Sequence, residues 1–146
     1  VVGSDTIVTI DGKQLAKAAD EQEAREILAL LAGRVNVVTS SIALVSLRKD
    51  TAEGEHVIKH YIGSESCKVY FRPYDQAAID IYIASGDWRD KAGAYGIQSG
   101  AHTLIDHYEG NFDTIIGLPT HLLAGYFQDV GIKAQPVDLE APVPRI

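Results

Sequence analysis

Two long β-forming runs constrain this chain more than any other feature. Residues 35–47 are rich in valine, serine and threonine, side chains that suit a pleated, half-buried surface. Residues 56–71 alternate apolar and polar types at the period of a strand. Between them, residues 48–54 form a charged loop, so the second run reads as the antiparallel return of the first. The elements before them alternate strand and helix, and then these long strands pair directly. The class that follows is α/β, a mixed sheet with flanking helices.

The remaining elements announce themselves by turn and cap residues. Residues 1–3 and 7–10 read as strand, interrupted by the polar trio Ser4, Asp5 and Thr6. Asp11-Gly12 is a turn dipeptide leading into a short second strand near residues 14–17. Asp20 followed by Glu23 matches a capping box. Ala24, Ile27, Leu28 and Leu31 then recur at helical spacing, and Gly33 sits where a terminating glycine belongs. Pro73 marks the start of a second helix, with Ala78, Ile79, Tyr82 and Ile83 as its apolar face and Gly86 at its end. Residues 102–109 read as strand, Gly110-Asn111 as a turn and residues 112–116 as strand again. Gly117-Leu118-Pro119 opens a last helix reaching about residue 130. From residue 132 three prolines and no periodicity indicate a surface tail, which puts the domain at 1–131 and the tail at 132–146. The chain opens in mid-strand with Val1-Val2-Gly3 and contains no methionine, so a further segment is expected upstream.

Composition narrows the partners. The 146 residues carry a net charge of −7, which argues against a nucleic-acid polymer, because such binders displace counterions with basic patches. A single nucleotide is compatible with that charge if a few lysines and a divalent cation make one locally positive site. No apolar run approaches the roughly 20 residues of a membrane span. One cysteine, Cys67, leaves no partner for an intrachain disulfide and fits a reducing compartment. The expectation is a soluble, cytoplasmic protein with no membrane partner.

The segment Asp90-Lys91-Ala92-Gly93-Ala94-Tyr95-Gly96-Ile97-Gln98 carries most of the functional signal. Its glycines and alanines give a backbone able to lie close to a ligand, a property that suits a phosphate or a nucleobase. Asp90 and Lys91 are either a phosphate-binding pair or a surface ion pair. Gln98 offers one acceptor and two donors, the set needed to read a pyrimidine edge, or else caps loop backbone. Asp5 could hold a divalent cation or accept a proton from water; it could equally be an Asx-turn residue bonding its own backbone. Lys17 follows Asp5 by twelve residues. A tight hairpin would return it to Asp5, where an ammonium could neutralise a phosphate chain rather than stand in solvent. His56 and His60 share a strand face but have no third ligand, and His102, His107 and His121 form no ligand spacing.

The long segment resembles the motif of the Maf nucleotide pyrophosphatases. Ser4-Asp5-Thr6-Ile7-Val8 is similar to the family's Ala-Asp-Thr-Val-Val, and Ile115-Ile116-Gly117-Leu118-Pro119 to its Val-Val-Gly-Leu-Pro. The resemblance implies a Maf/ITPase-like mixed sheet and hydrolysis of nucleoside triphosphates at the α–β phosphoanhydride, giving a monophosphate and pyrophosphate. It implies Asp5 as proton acceptor and a lysine at the place of Lys17; beside it, the residue chemistry leads to the expectation that Asp5 holds Mg²⁺ or Mn²⁺ and that Lys17, Asp90 and Lys91 meet the substrate. Thr6 and Gln98 match positions tied to base choice, in the version acting on dTTP and UTP rather than 7-methyl-GTP. Accepting both is physically easy, since a methyl group is discriminated only about 10–200-fold. A cytoplasmic role, commonly as a homodimer, also goes with the family. The rivals are a pyrophosphatase for modified nucleotides and a non-catalytic nucleotide-binding member. The chain departs from the family pattern at Ala18, Asn36, Asp87-Trp88 and Thr114, and it lacks the family's upstream Ser-x-x-Arg phosphate loop.

Overall fold

The computed structural model describes residues 1–49 and 56–133. Its frame is a five-stranded sheet in the order β2-β1-β3-β4-β5, made of β1 (Val2–Ile10), β2 (Lys13–Leu15), β3 (Val35–Lys49), β4 (His56–Phe71) and β5 (Ile105–Glu109). All four pairings among the described strands are antiparallel. The hairpin β3–β4 is the spine. Its register runs unbroken from Val35 opposite Tyr70 to Lys49 opposite His56. Residues 50–54 of the expected charged loop, and the expected tail from residue 134 onward, lie outside the described residues.

Helices α1 (Glu21–Leu31), α2 (Gln76–Ser85), α3 (Phe112–Ile115) and α4 (Thr120–Asp129) complete the fold, as the α/β reading expects. Helix α1 starts where its cap predicts. Asp20 Oδ1 accepts from the Glu23 backbone N–H at 2.9 Å, and Glu23 Oε2 accepts from the Ala19 N–H at 2.7 Å. The helix buries Ala24, Ile27, Leu28 and Leu31 in one core cluster with Val8 and Ile10 of β1, Val38 of β3 and Val69 of β4. Burying each of Ile27, Leu28 and Leu31 is worth about 1.5–3 kcal/mol. Alternation along the strands assigns the opposite sheet face to Leu47, Ile58 and Ile62, which are 62%, 64% and 75% exposed. Among the described residues no helix is long and apolar enough to cross a membrane.

Four local expectations are corrected. Strand β1 is continuous through Ser4, Asp5 and Thr6, because β3 supplies a partner for each of them across an unbroken ladder. Strand β2 ends at Leu15, so Lys17 contributes only an isolated bridge, to Ala92. Helix α2 begins three residues past Pro73, where the Asp75 carboxylate accepts from the Ala77 and Ala78 N–H groups. The expected strand at 112–116 is the short helix α3, preceded by a 3-10 turn at Gly100–Thr103 that shortens β5. Gly110 and Gly117, both at left-handed φ, pinch this segment to a few residues. Its backbone bonds close locally, with the Ile116 N–H donating to Phe112 O at 3.1 Å.

Candidate active site

Because β2 pairs only with Val8, Thr9 and Ile10, the first half of β1 is a free sheet edge among the described residues. The motif segment lies beside that edge. It is tied there by the Lys17–Ala92 bridge and by the Gly93 N–H donating to Ala16 O at 3.1 Å. Between edge and segment opens a cleft of about 460 Å³, within the roughly 300–1,000 Å³ typical of small-molecule sites. Asp5, Thr6, Lys17, Asp90, Lys91 and Gln98 all line it. The six positions singled out in the sequence therefore meet at one place, from three separate segments. The place differs from expectation for Asp5, which sits in mid-strand rather than beyond a strand end. Neighbours on an extended strand point to opposite faces, so Asp5 and Thr6 both reach the cleft because it opens at the edge.

The motif backbone is held from below. Tyr95, almost fully buried, donates its hydroxyl to Asn36 Oδ1 at 2.8 Å, and Asn36 Nδ2 donates to Val69 O at 3.2 Å. The Gly96 N–H donates to the Tyr82 hydroxyl at 3.1 Å. Burial pushes the Tyr82 phenol up to about 12 and raises that of Tyr95 as well, so both are neutral hydrogen-bonding groups at ordinary pH. Asp90 and Ala94 take left-handed φ values of 61° and 55°, a conformation that costs a non-glycine residue about 1–2 kcal/mol. The two glycines have a role in packing. A Cβ on Gly93 would stand 3.1 Å from Val8 Cγ1, and one on Gly96 would stand 2.5 Å from Lys91 Cε. Gly96 is the gap through which the Lys91 side chain crosses the loop.

A second set of polar residues escaped the sequence reading. Ser40, on β3 opposite Thr6, is fully buried and lies 2.8 Å from Thr6 Oγ1. Its hydroxyl donates to Thr114 O at 2.6 Å. Thr114 Oγ1 donates to Glu65, which also accepts from Asn111 Nδ2 at 2.8 Å and lies 3.4 Å from His121 Nε2. The signal was present in outline: Asn36 and Ser40 are polar residues in the same alternation as Val38, Ile42 and Leu44. Among the described residues no buried side-chain polar atom lacks a partner, so the departures at Asn36 and Thr114 are accommodated by complete hydrogen bonding. Among the described residues no group of three His, Cys, Asp or Glu side chains is placed to hold a metal ion, and the side chain of His56 lies outside them.

Chemically, the cleft presents two carboxylates and two amines around a partly apolar floor that includes Val8, Val38 and Ile115. Residues 1–130 match the Maf-like protein family. The dTTP/UTP pyrophosphatase of Pyrococcus furiosus is 39% identical over 119 residues, covering 82% of this chain and 57% of its own length. Those of Clostridium acetobutylicum and Symbiobacterium thermophilum are 36% and 41% identical, covering 91% and 83% of this chain and 63% and 57% of their own. The chain thus spans less than two-thirds of the length of these curated relatives. With the motif segments gathered around one cleft and the match extending over nearly all described residues, the chain belongs to the Maf-like protein family.

Proposed function

We propose that this chain carries the nucleotide site of a nucleoside triphosphate pyrophosphatase acting on dTTP and UTP, yielding the monophosphate and pyrophosphate. What supports the proposal is the convergence of Asp5, Thr6, Lys17, Asp90, Lys91 and Gln98 on one cleft of nucleotide size, together with relatives named dTTP/UTP pyrophosphatase. Asp5 takes a proton from water as the water oxygen bonds to phosphorus and the bridging P–O bond breaks. The pyrophosphate leaves beside Lys17 and Lys91, whose ammonium groups offset the charge that develops on it. Gln98 and Thr6 orient the base.

A divalent cation fits this donor set. Two carboxylates and two amines leave the cleft formally neutral, whereas a triphosphate brings several negative charges. Mg²⁺ is commonly bound by one or two carboxylates and substrate phosphates rather than by an all-protein cage. Asp5 would hold Mg²⁺ or Mn²⁺, and the ion would supply charge neutralisation at the phosphates. A cytoplasmic setting and a homodimer go with the proposal, and the exposed Leu47, Ile58 and Ile62 offer apolar surface for self-association.

Asp5→Asn tests the assignment. Pyrophosphate release from UTP should fall about 10²–10⁴-fold, with nucleotide affinity by calorimetry changed only a few fold. An unchanged kcat in that variant removes Asp5 from its role. Nucleotide binding without turnover by the unmutated chain selects the non-catalytic reading instead.

A further inference from the structure

The hydroxyl of Thr6 has a fixed polarity. Ser40 Oγ lies 2.6 Å from the carbonyl oxygen of Thr114, and two oxygens that close repel unless a proton lies between them. A carbonyl has none to give, so the Ser40 proton points at Thr114. Ser40 Oγ lies also 2.8 Å from Thr6 Oγ1. With its own proton committed, Ser40 can only accept there, and the Thr6 proton points at Ser40. Thr6 Oγ1, at the cleft wall beneath Gly117, therefore has lone pairs alone to offer to anything in the cleft.

We infer that Ser40 is a specificity-determining positioning residue: by holding the Thr6 proton it makes Thr6 a pure acceptor, which selects a nucleobase presenting N–H at that point. This inference rests on the proposed nucleotide site and deepens it. Uracil and thymine carry hydrogen on N3, whereas cytosine has an unprotonated acceptor there. A ring nitrogen without hydrogen set against the lone pairs of Thr6 leaves both acceptors unpaired, the kind of mismatch by which polar sites discriminate most strongly. The 5-methyl group plays no part in this contact, so dTTP and UTP are accepted together. Serine and threonine hydroxyls do not titrate in the ordinary range and the N3–H of uracil keeps its proton near neutrality, so the discrimination is independent of pH between about 6 and 8.

The test is the ratio of UTP to CTP affinity, measured by titration calorimetry on the whole chain with and without Ser40→Ala. The alanine frees the Thr6 hydroxyl to rotate and donate, and the ratio should shrink roughly ten- to a hundredfold. A destabilised but folded protein with no change in hydrogen-bond polarity would lose affinity for both nucleotides alike. Should Ser40→Ala fail to fold, Thr6→Val and Thr6→Ser carry the test. Valine should erase the preference, and serine, which can still donate to Ser40, should keep it. A folded Ser40→Ala, or a Thr6→Val, with the full preference intact overturns the inference and leaves the nucleotide site standing, as does equal affinity of the unmutated chain for the two nucleotides. An unmutated chain that binds neither nucleotide overturns the site itself and this inference with it.

Discussion

The buried pair Asn36–Tyr95 ties the motif segment to the sheet, and its energetics can be worked out in advance. Tyr95→Phe keeps the ring and its edge-on contact with Phe71, centroids 4.9 Å apart, so the change removes the hydroxyl alone. It leaves Asn36 Oδ1 buried without a donor, which costs about 1–3 kcal/mol. Asn36→Leu strands the Tyr95 hydroxyl for a similar cost. It also removes the bond to Val69 O, a further loss of about 0.5–1.5 kcal/mol. In the double variant two apolar groups face each other and neither the phenol nor the amide is left unpaired, so the stranding penalty of the single variants is absent. The double-mutant cycle should therefore show a coupling of about 1–2 kcal/mol. For a chain of this size each kcal/mol corresponds to roughly 2–4 °C in Tm, so a single variant losing about 2 kcal/mol melts roughly 4–8 °C lower. Thermal unfolding followed by far-UV circular dichroism, with fluorescence of the buried Trp88 as second probe, gives the four Tm values. Strict additivity, or a Tyr95→Phe variant as stable as the parent, would refute this account of how the motif is held.

Two further outcomes follow from the same geometry. Gly96→Ala places a methyl group 2.5 Å from Lys91 Cε without demanding a left-handed backbone. It should push Lys91 aside and weaken UTP about tenfold while leaving UMP affinity and Tm nearly unchanged; equal losses for UTP and UMP would detach Lys91 from the phosphates. Tyr82 is raised above its unfolded value of 10 to about 12, chiefly by burial, so the folded state holds its proton longer than the unfolded one. That contribution is complete below about pH 10 and drains away as pH rises toward 12. Urea midpoints should be level to about pH 9 and fall above 10, with a shallower fall in Tyr82→Phe.

Much of the architecture was legible because its signals are local. The return arm at 56–71 is found to the residue, since period-two alternation over sixteen positions has few competing explanations. Helix α1 begins at its capping box and α2 ends at Gly86, where φ is 77°, because caps act within one turn. The misreadings occur where the decision is made at a distance. Residues 112–116 are apolar and β-branched enough for a strand, yet a short run of that kind takes its conformation from its surroundings. The polar trio at 4–6 looked like a break until β3 provided Ser41 and Ser40 as partners for Asp5 and Thr6.

The cleft divides in the same way, and the division has a physical cause. Groups able to meet a phosphate or a base, such as Lys91 and Gln98, stand out because charge and amide chemistry are unusual in a glycine-rich segment, whereas Lys17 is marked only by its spacing from Asp5 and by the family resemblance. The groups that set their geometry and polarity do not stand out. Ser40 reads as one more small residue in a strand until Thr114, 74 positions along the chain, brings a carbonyl to 2.6 Å. Asn36 reads only as a departure from the family pattern until Tyr95, 59 positions away, closes on it. A hydroxyl buried with a single acceptor loses its freedom to rotate, and everything bonded to it inherits one direction of donation. If the inference about Ser40 holds, selectivity for the edge of a base is decided one layer beneath the cleft wall, in side chains whose chemistry is ordinary and whose burial is not.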